Sequence, residues 1–323
     1  MVDTPGKITL WQIEIFAAAA EEASITATAR RLGASPSAVS QQLSNLEAAL
    51  GAKLLERAER PMPLTEAGVL FLQRAQTILN EAAQATSELA VNDLSSRVRL
   101  RLGMIEDFDA DVTPALLSQL AEDMPNARFL LETGASHKLL DLLETRAVDV
   151  AVAADPGELS PAFEVYPLIE DPFVVVAPRG LVRPGEDALE RLRATPFIRY
   201  TSRHLMGRQV AAHLARQNLR LSHRFELDSY HAILAMVARG EGWSILTPLG
   251  ILRAKRFIDQ IEMMELPLPP LSRNISLVAR RDALQDIPEK IAATLRPLLE
   301  REIAEVCQAR MPWLEGRMRI TAP

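Results

Sequence analysis

The chain has 323 residues, 48% hydrophobic and 24% charged, with a formal net charge of −6. That length and balance support more than one buried core, about two domains, and exclude a disordered chain. One cysteine, Cys307, excludes an intramolecular disulfide and a cysteine-based metal cluster, and no apolar run approaches the ~18 residues of a membrane span. Residues 1–64 carry six Lys and Arg against seven Asp and Glu, so the basic footprint of a nonspecific nucleic-acid binder is absent. Met1 to Lys7 has no basic start followed by an apolar stretch, so neither export nor a membrane is expected, and a cytoplasmic location is.

The first informative segment runs from Ser24 to Leu50. A short helix ends after Leu32 at Gly33, which tolerates the left-handed conformation that stops a helix. A second helix starts abruptly, with Ser35 as its cap and Pro36 at the first helical position, where a missing N–H costs nothing. Val39, Leu43, Leu46 and Leu50 form one apolar stripe, and Ser37, Gln41, Ser44 and Ala48 fall opposite. A solvated helix normally covers its outer face with Lys and Glu; this face is short, polar and uncharged, which suits entry into a major groove. Gln41 suits a bidentate contact to an adenine edge, and Ser37, Ser40 and Ser44 suit bases or phosphates, with Ser35 and Pro36 at the leading end. Lys53, Arg57 and Arg60 then lie around an expected two-stranded ribbon with a proline-bearing tip, a wing whose cations suit phosphate or the minor groove.

From Thr65 to about Ala90 a long helix is predicted, with Phe71, Ala75, Ile78, Ala82, Ala85 and Leu89 spaced by four and three. A helix of about 26 residues spans about 39 Å, and such a seam suits close pairing with a second copy, so a dimer through this helix is expected. Asn92 to Arg97 reads as a linker. Beyond it, strands at 98–103, 127–132 and 148–153 alternate with helices at 114–124 and 137–145, a βαβαβ pattern that implies a parallel sheet. A second set follows: strands at 173–177, 197–200, 225–228 and 243–246, and helices at 206–217 and 231–239. This predicts two lobes, with 274–280 returning to the first and a closing helix over 287–307.

In open α/β lobes a ligand binds beyond the carboxyl ends of the strands. That rule nominates Met104, Ile105, Glu106 and Asp107, then Thr133 and Ser136, then Thr201, Ser202 and Arg203, with Tyr230 and Thr247 completing the rim. Hydroxyl and backbone donors at Ser136, Thr201 and Ser202, with Arg203, suit a carboxylate, and Glu106 and Asp107 suit an amine, so a small organic anion or amino-acid-like effector fits. The five histidines show no metal-ligand spacing, and Gly-x-Ser-x-Gly, Cys-x-x-Cys and His-Glu-x-x-His are absent. No metal, cofactor or catalytic residue is expected. The alternative is a small-molecule binding protein or enzyme on the same two-lobed fold.

The positions Ile13, Phe16, Ser24, Ala29, Leu32, Ser35, Val39, Ser40, Leu43, Leu46, Glu47, Leu50, Gly51, Leu54, Arg57 and Leu64 to Gly68 resemble the LysR-type transcriptional regulators. So do Asp149 to Val152 and Gly240 to Pro248. The chain departs from the family where Pro36-Ser37 stands in place of Gln-Pro and where Leu55 stands in place of Phe. The resemblance implies a multidomain fold: an all-α winged helix-turn-helix domain at 1–65, a linker helix at 66–91, and an α/β two-lobed domain of periplasmic-binding-protein type 2 at 92–307. Lobe I would take about 98–170 and 272–307, lobe II about 171–271, and 308–323 would be an extension. It implies a sequence-specific regulator of promoter or operator DNA, controlled by an effector between the lobes. Such a regulator acts as a dimer or a tetramer built from two dimers, with RNA polymerase as a further partner.

Overall fold

In a computed structural model, the structure describes residues 8–89 and 99–321 apart from 156, 158 and 282. The linker predicted at 92–97 lies outside them. The chain divides into two compact units, the first carrying the four N-terminal helices and residues 144–147, the second the remaining described elements.

The first unit comprises α1 (Leu10–Glu22), α2 (Ile25–Leu32), α3 (Pro36–Leu50) and α4 (Glu66–Leu89). Each of the first three is fixed by its own caps. Thr9 and Gln12 form a reciprocal capping box at α1, and Ser24 and Ser35 accept the N–H groups of Ala27 and Ala38. Gly33 and Gly51, with φ of 63° and 67°, end α2 and α3 in the left-handed region. Ile13, Phe16, Ala29, Val39, Leu43 and Leu46 meet in one core. The wing is shorter than a ribbon. Leu55 and Leu64 form a single antiparallel bridge, flanked by hydrogen bonds from Glu56 N to Pro63 O at 2.9 Å and from Thr65 N to Leu54 O at 3.0 Å.

The seam expected on α4 is divided. Phe71 packs on Phe16 with ring centroids 5.4 Å apart, and Ala75 is fully buried in the same core. The first turns of that stripe therefore serve the helix's own unit. Among the described residues the large apolar side chains that α4 exposes are Val69, Leu70 and Ile78, with Leu70 73% exposed. Ile78 belongs to the predicted seam, and Val69 and Leu70 precede it.

The second unit is built on two lobes. In lobe I, β1 (Arg99–Ile105), α5 (Val112–Asp123), β2 (Arg128–Gly134), α6 (Ser136–Glu144) and β3 (Val150–Ala154) give the predicted parallel pairs β1–β2 and β1–β3. The strand β4 (Phe163–Pro172), missed in the sequence, joins antiparallel to the returning strand. The chain crosses to lobe II with β5 (Val174–Pro178) and continues through α7 (Ala188–Arg193), β6 (Phe197–Tyr200) and α8 (Leu205–Arg216). There follow β7 (His223–Leu227), α9 (Tyr230–Ala238), β8 (Ser244–Leu246), α10 (Pro248–Arg253) and β9 (Ile261–Glu265). Here β6 and β7 are parallel, whereas β8, β5 and β9 pair antiparallel, and one bridge between Phe197 and Trp243 joins the two sets.

Lobe I is completed by β10 (Ser272–Arg280), α11 (Ile287–Leu299), α12 (Glu305–Arg310) and β11 (Arg319–Ile320). Its sheet runs β11-β4-β10-β3-β1-β2. Residues 308–321 of the expected extension are thus part of the lobe. Met311, Leu314 and Met318 are buried in its core, and β11 pairs with β4. Nothing in its sequence alternates over more than a few residues, so two-residue pairing left no readable period.

Candidate functional site

In the first unit, the outer edge of α3 presents Ser35, Pro36, Ser37 and Gln41 to solvent, together with Asn45. The amide of Gln41 donates to Asn45 Oδ1 at 2.9 Å, which orients both amides along one edge of the helix. Ser40 and Ser44 are half-buried, and Ser44 Oγ donates to Ser40 O at 2.9 Å.

Arg57 departs from the role expected of it. Its guanidinium donates to Ser44 Oγ at 3.0 Å, Ser40 O at 3.3 Å and Glu47 at 2.7 Å. Arg57 therefore ties the wing to α3, and it engages two of the serines assigned to DNA. At the centre is Glu47, a position that carries the family resemblance but to which the sequence assigns no role. Glu47 is only 3% exposed in its side chain; one carboxylate oxygen accepts the backbone N–H groups of Leu54 and Leu55 at 2.9 and 3.4 Å, and the other faces Arg57 and Lys53. A buried carboxylate satisfied this fully holds the wing root against the helix. Lys53, 77% exposed, and Arg60, also exposed, are the cations on the outside.

In the second unit, a cavity of about 270 Å³ opens between the lobes. Three helices from both lobes point their N-termini at it: α6 through Gly134 to His137, α8 through His204 to Met206, and α9 through Ser229 to His231. Free N–H groups and the helix dipole at each of these ends favour a negatively charged guest. Ser136 Oγ accepts the N–H of Ala154 at 2.9 Å, so its own proton remains to be donated. His137 and His204, which look isolated in sequence, come together from the two lobes with ring centroids 5.9 Å apart, and His204 packs on Tyr200 at 5.8 Å.

Of the residues nominated from sequence, the cavity gathers Ile105, Glu106, Asp107, Ser136 and Tyr230. The others lie elsewhere. Met104 is buried in the lobe I core, and Thr133 is exposed on β2 outside the cavity. Thr201 Oγ1 and the Ser202 N–H both donate to Glu226 on β7 and are occupied there. The side chain of Arg203 is 81% exposed, 3.7 Å from Asp228. Thr247 is fully buried behind the wall, where its hydroxyl accepts from Arg273 at 3.1 Å. A strand-end rule selects loops correctly, but side-chain direction within each loop decides membership.

Two arginines missed in the sequence set the charge of this wall. Arg273 on β10, 7% exposed, donates to Asp107 at 2.7 Å and to Asp171 at 2.9 Å. Arg253, at the end of α10, pairs with Glu106 across the lobes at 3.1 Å, and Lys255 pairs with Asp111 at 2.9 Å. Burial pushes the Asp171 carboxyl up to about 6, against the pull of Arg273 and Thr247, and Asp107 adds to the rise. Its Oδ1 has no hydrogen-bond partner. Glu106 and Asp107 are thus neutralised by arginines, which removes the acceptors expected for an amine. Among the described residues no group of three His, Cys, Asp or Glu is arranged to hold a metal ion, and no helix is long and apolar enough to cross a membrane.

Comparison with known proteins bears on both units. Residues 10–69 match the family described as bacterial regulatory helix-turn-helix protein, lysR family, and residues 95–300 match the LysR substrate binding domain. The chain is 31% identical over 242 residues to the HTH-type transcriptional activator CmpR of Synechocystis, covering 74% of this chain and 79% of that protein. It is 33% identical over 180 residues to a probable hydrogen peroxide-inducible genes activator of Mycobacterium xenopi, covering 56% of this chain and 95% of the relative. Full-length CbnR complexed with its target DNA has the same fold, with a TM-score of 0.61 at 20% identity over 91% of this chain and all of that one.

Proposed function

Because the chain belongs to the LysR family of DNA-binding transcriptional regulators, we propose that it reads its operator with the exposed edge of α3 and is controlled by a small organic anion held between the lobes of the second unit. Ser37 and Gln41 contact base edges, the Ser35-Pro36 helix start, Lys53 and Arg60 contact phosphate, and Arg57 acts with Ser40 and Ser44 to set the wing. The observation that carries the effector reading is the convergence of three helix N-termini on one cavity in which Glu106 and Asp107 are already paired with arginines. An anion finds free donors there, and an amine finds no free carboxylate among Glu106 and Asp107. At about 270 Å³ the cavity suits a small carboxylate.

A DNA-reading segment with no excess of basic residues needs more than one copy on the site, and Val69, Leu70 and Ile78 supply an apolar surface for pairing. The working form is a homodimer or a tetramer of two dimers in the cytoplasm, without enzymatic activity, acting on transcription with RNA polymerase as partner. Effector binding shifts the lobes between two arrangements by its differential affinity for them.

The test is a melting-temperature screen of mono- and dicarboxylates, amines and neutral sugars. A carboxylate at a hundred times its Kd adds about 2.7 kcal/mol and raises Tm by about 5 to 10 °C. His204→Ala should cut that shift. Stabilisation by amines or sugars alone overturns the anion reading.

Relatives include a probable peroxide-inducible activator, but a thiol sensor needs an accessible thiolate. Cys307 is fully buried, and burial together with the nearby charge of Asp171 pushes its thiol up to about 12. Micromolar hydrogen peroxide should therefore leave DNA affinity unchanged, and Cys307→Ser should bind DNA as the wild type does. A peroxide-dependent mobility shift that vanishes in the serine variant would refute this.

A further inference from the structure

Lobe II contains a second cavity, about 450 Å³, between α8 and the β6–β7 pair. Its origin lies in one face of α8. Gly207, Ala211 and Ala215 recur every four residues on the wall, where larger side chains at 211 and 215 would fill the space. Gly207 has no alternative, since a Cβ there would come 2.0 Å from Thr201 O. The floor is apolar and buried: Phe197, Val210, Leu214 and Leu219.

The formal charges that line this cavity have one sign. Arg199 and Arg220 are both cations, Asn218 and His223 add uncharged polar groups, and among the described residues no Asp or Glu lines it. The acid nearest the Arg199 guanidinium is Glu226, whose Oε2 stands 3.9 Å away while its Oε1 accepts from Thr201 and Ser202, so Arg199 is only loosely paired. A cationic rim over an apolar floor is complementary to an anion that carries an apolar chain. From this geometry we infer that lobe II holds a second ligand site, separate from the cleft, for an amphiphilic monoanion: a carboxylate head at Arg199, Arg220 and His223 and a hydrocarbon tail along Val210 and Leu214. Tyr200 contributes to the wall of both cavities, and its ring packs on Tyr230 at 5.3 Å, so an occupant of the second site presses on a residue of the first.

The experiment is calorimetric titration of the full chain with octanoate, 1-octanol and acetate. Octanoate should bind saturably, and 1-octanol and acetate at least about tenfold more weakly, because each lacks one half of the recognition. Ala211→Leu fills the cavity and should abolish octanoate binding, whereas Arg220→Gln, at an exposed position that packing does not need, should weaken it about tenfold. Binding should persist in His137→Ala, on the lobe I side of the cleft, so a failure of the cleft reading leaves this one standing. Absence of saturable heat, equal affinity for 1-octanol, or unchanged binding in Ala211→Leu would overturn it. A change of oligomeric mass in Ala211→Leu would overturn it as well, marking this face as a contact between copies.

Discussion

Arg273→Met should lower the stability of the second unit by about 3 to 5 kcal/mol, on the order of 10 °C in Tm, because it leaves two buried carboxylates with no cation between them. Asp107 and Asp171 share that guanidinium, at 2.7 and 2.9 Å; Asp107 has Arg253 as a more distant second cation at 3.8 Å, whereas Asp171 is fully buried. The pH dependence follows in sign. Asp171 titrates at about 6 in the folded chain against 3.8 when exposed, so the folded state binds the proton more tightly. This group's contribution to stability is therefore greatest below about 4, falls as pH rises towards 6 and is flat above, by on the order of 3 kcal/mol in all. Asp171→Asn should flatten that part of the profile. Loss of Arg273 removes the strongest influence holding Asp171 down, so the gap between Arg273→Met and wild type should widen as pH rises through 6 and beyond. A gap independent of pH would mean the guanidinium serves packing alone. Arg273→Met with Asp171→Asn should recover part of the loss, because the neutral amide no longer needs a cation.

The second large effect is expected at Glu47. Glu47→Ala orphans the buried N–H groups of Leu54 and Leu55 and removes the carboxylate from Arg57, leaving that guanidinium only Ser40 and Ser44 as partners on α3. Loss of a buried, multiply bonded carboxylate costs about 3 kcal/mol or more, a large share of the stability of a domain this small. Specific DNA binding should be lost with it, and amide exchange at Leu54 and Leu55 should rise to the rate of an open loop. Glu47→Gln keeps an acceptor for the two N–H groups but loses the ion pair with Arg57, so it should fall between wild type and alanine. If Glu47→Ala binds DNA normally, the wing is not held by this residue.

The helices of the first unit are legible because their signals are local: a serine cap, a proline at the first turn and a glycine at the end each act within four residues. Lobe I's parallel core is legible for a related reason, since strands such as Val150–Ala154 are buried on both faces and read as unbroken apolar runs. What escapes the sequence is long-range pairing of charge. Arg273 and Asp171 stand 102 residues apart, yet each leaves a trace. Arg273 comes just before the mostly apolar stretch Ile275 to Ala279, and Asp171 just before the run Phe173 to Ala177. A charged residue at the edge of a buried strand requires a partner, although the partner's position does not follow from spacing. Likewise His137 and His204 meet because two lobes face one another, a relation with no period along the chain. The α4 seam is divided: Phe71 and Ala75 join the core of their own unit, whereas Ile78 stays exposed, and spacing alone does not separate the two uses.

The central claim is that the exposed edge of α3 reads a defined DNA sequence, and selection of bound fragments from random-sequence DNA by the full chain tests it with no operator chosen in advance. Enrichment of a motif of two dyad-related half-sites is expected, with Gln41→Ala relaxing the preference at one base of each half-site at a cost of about 1 to 3 kcal/mol and with no change in Tm. No enriched motif, or a motif unchanged by Gln41→Ala together with Ser37→Ala, would contradict it.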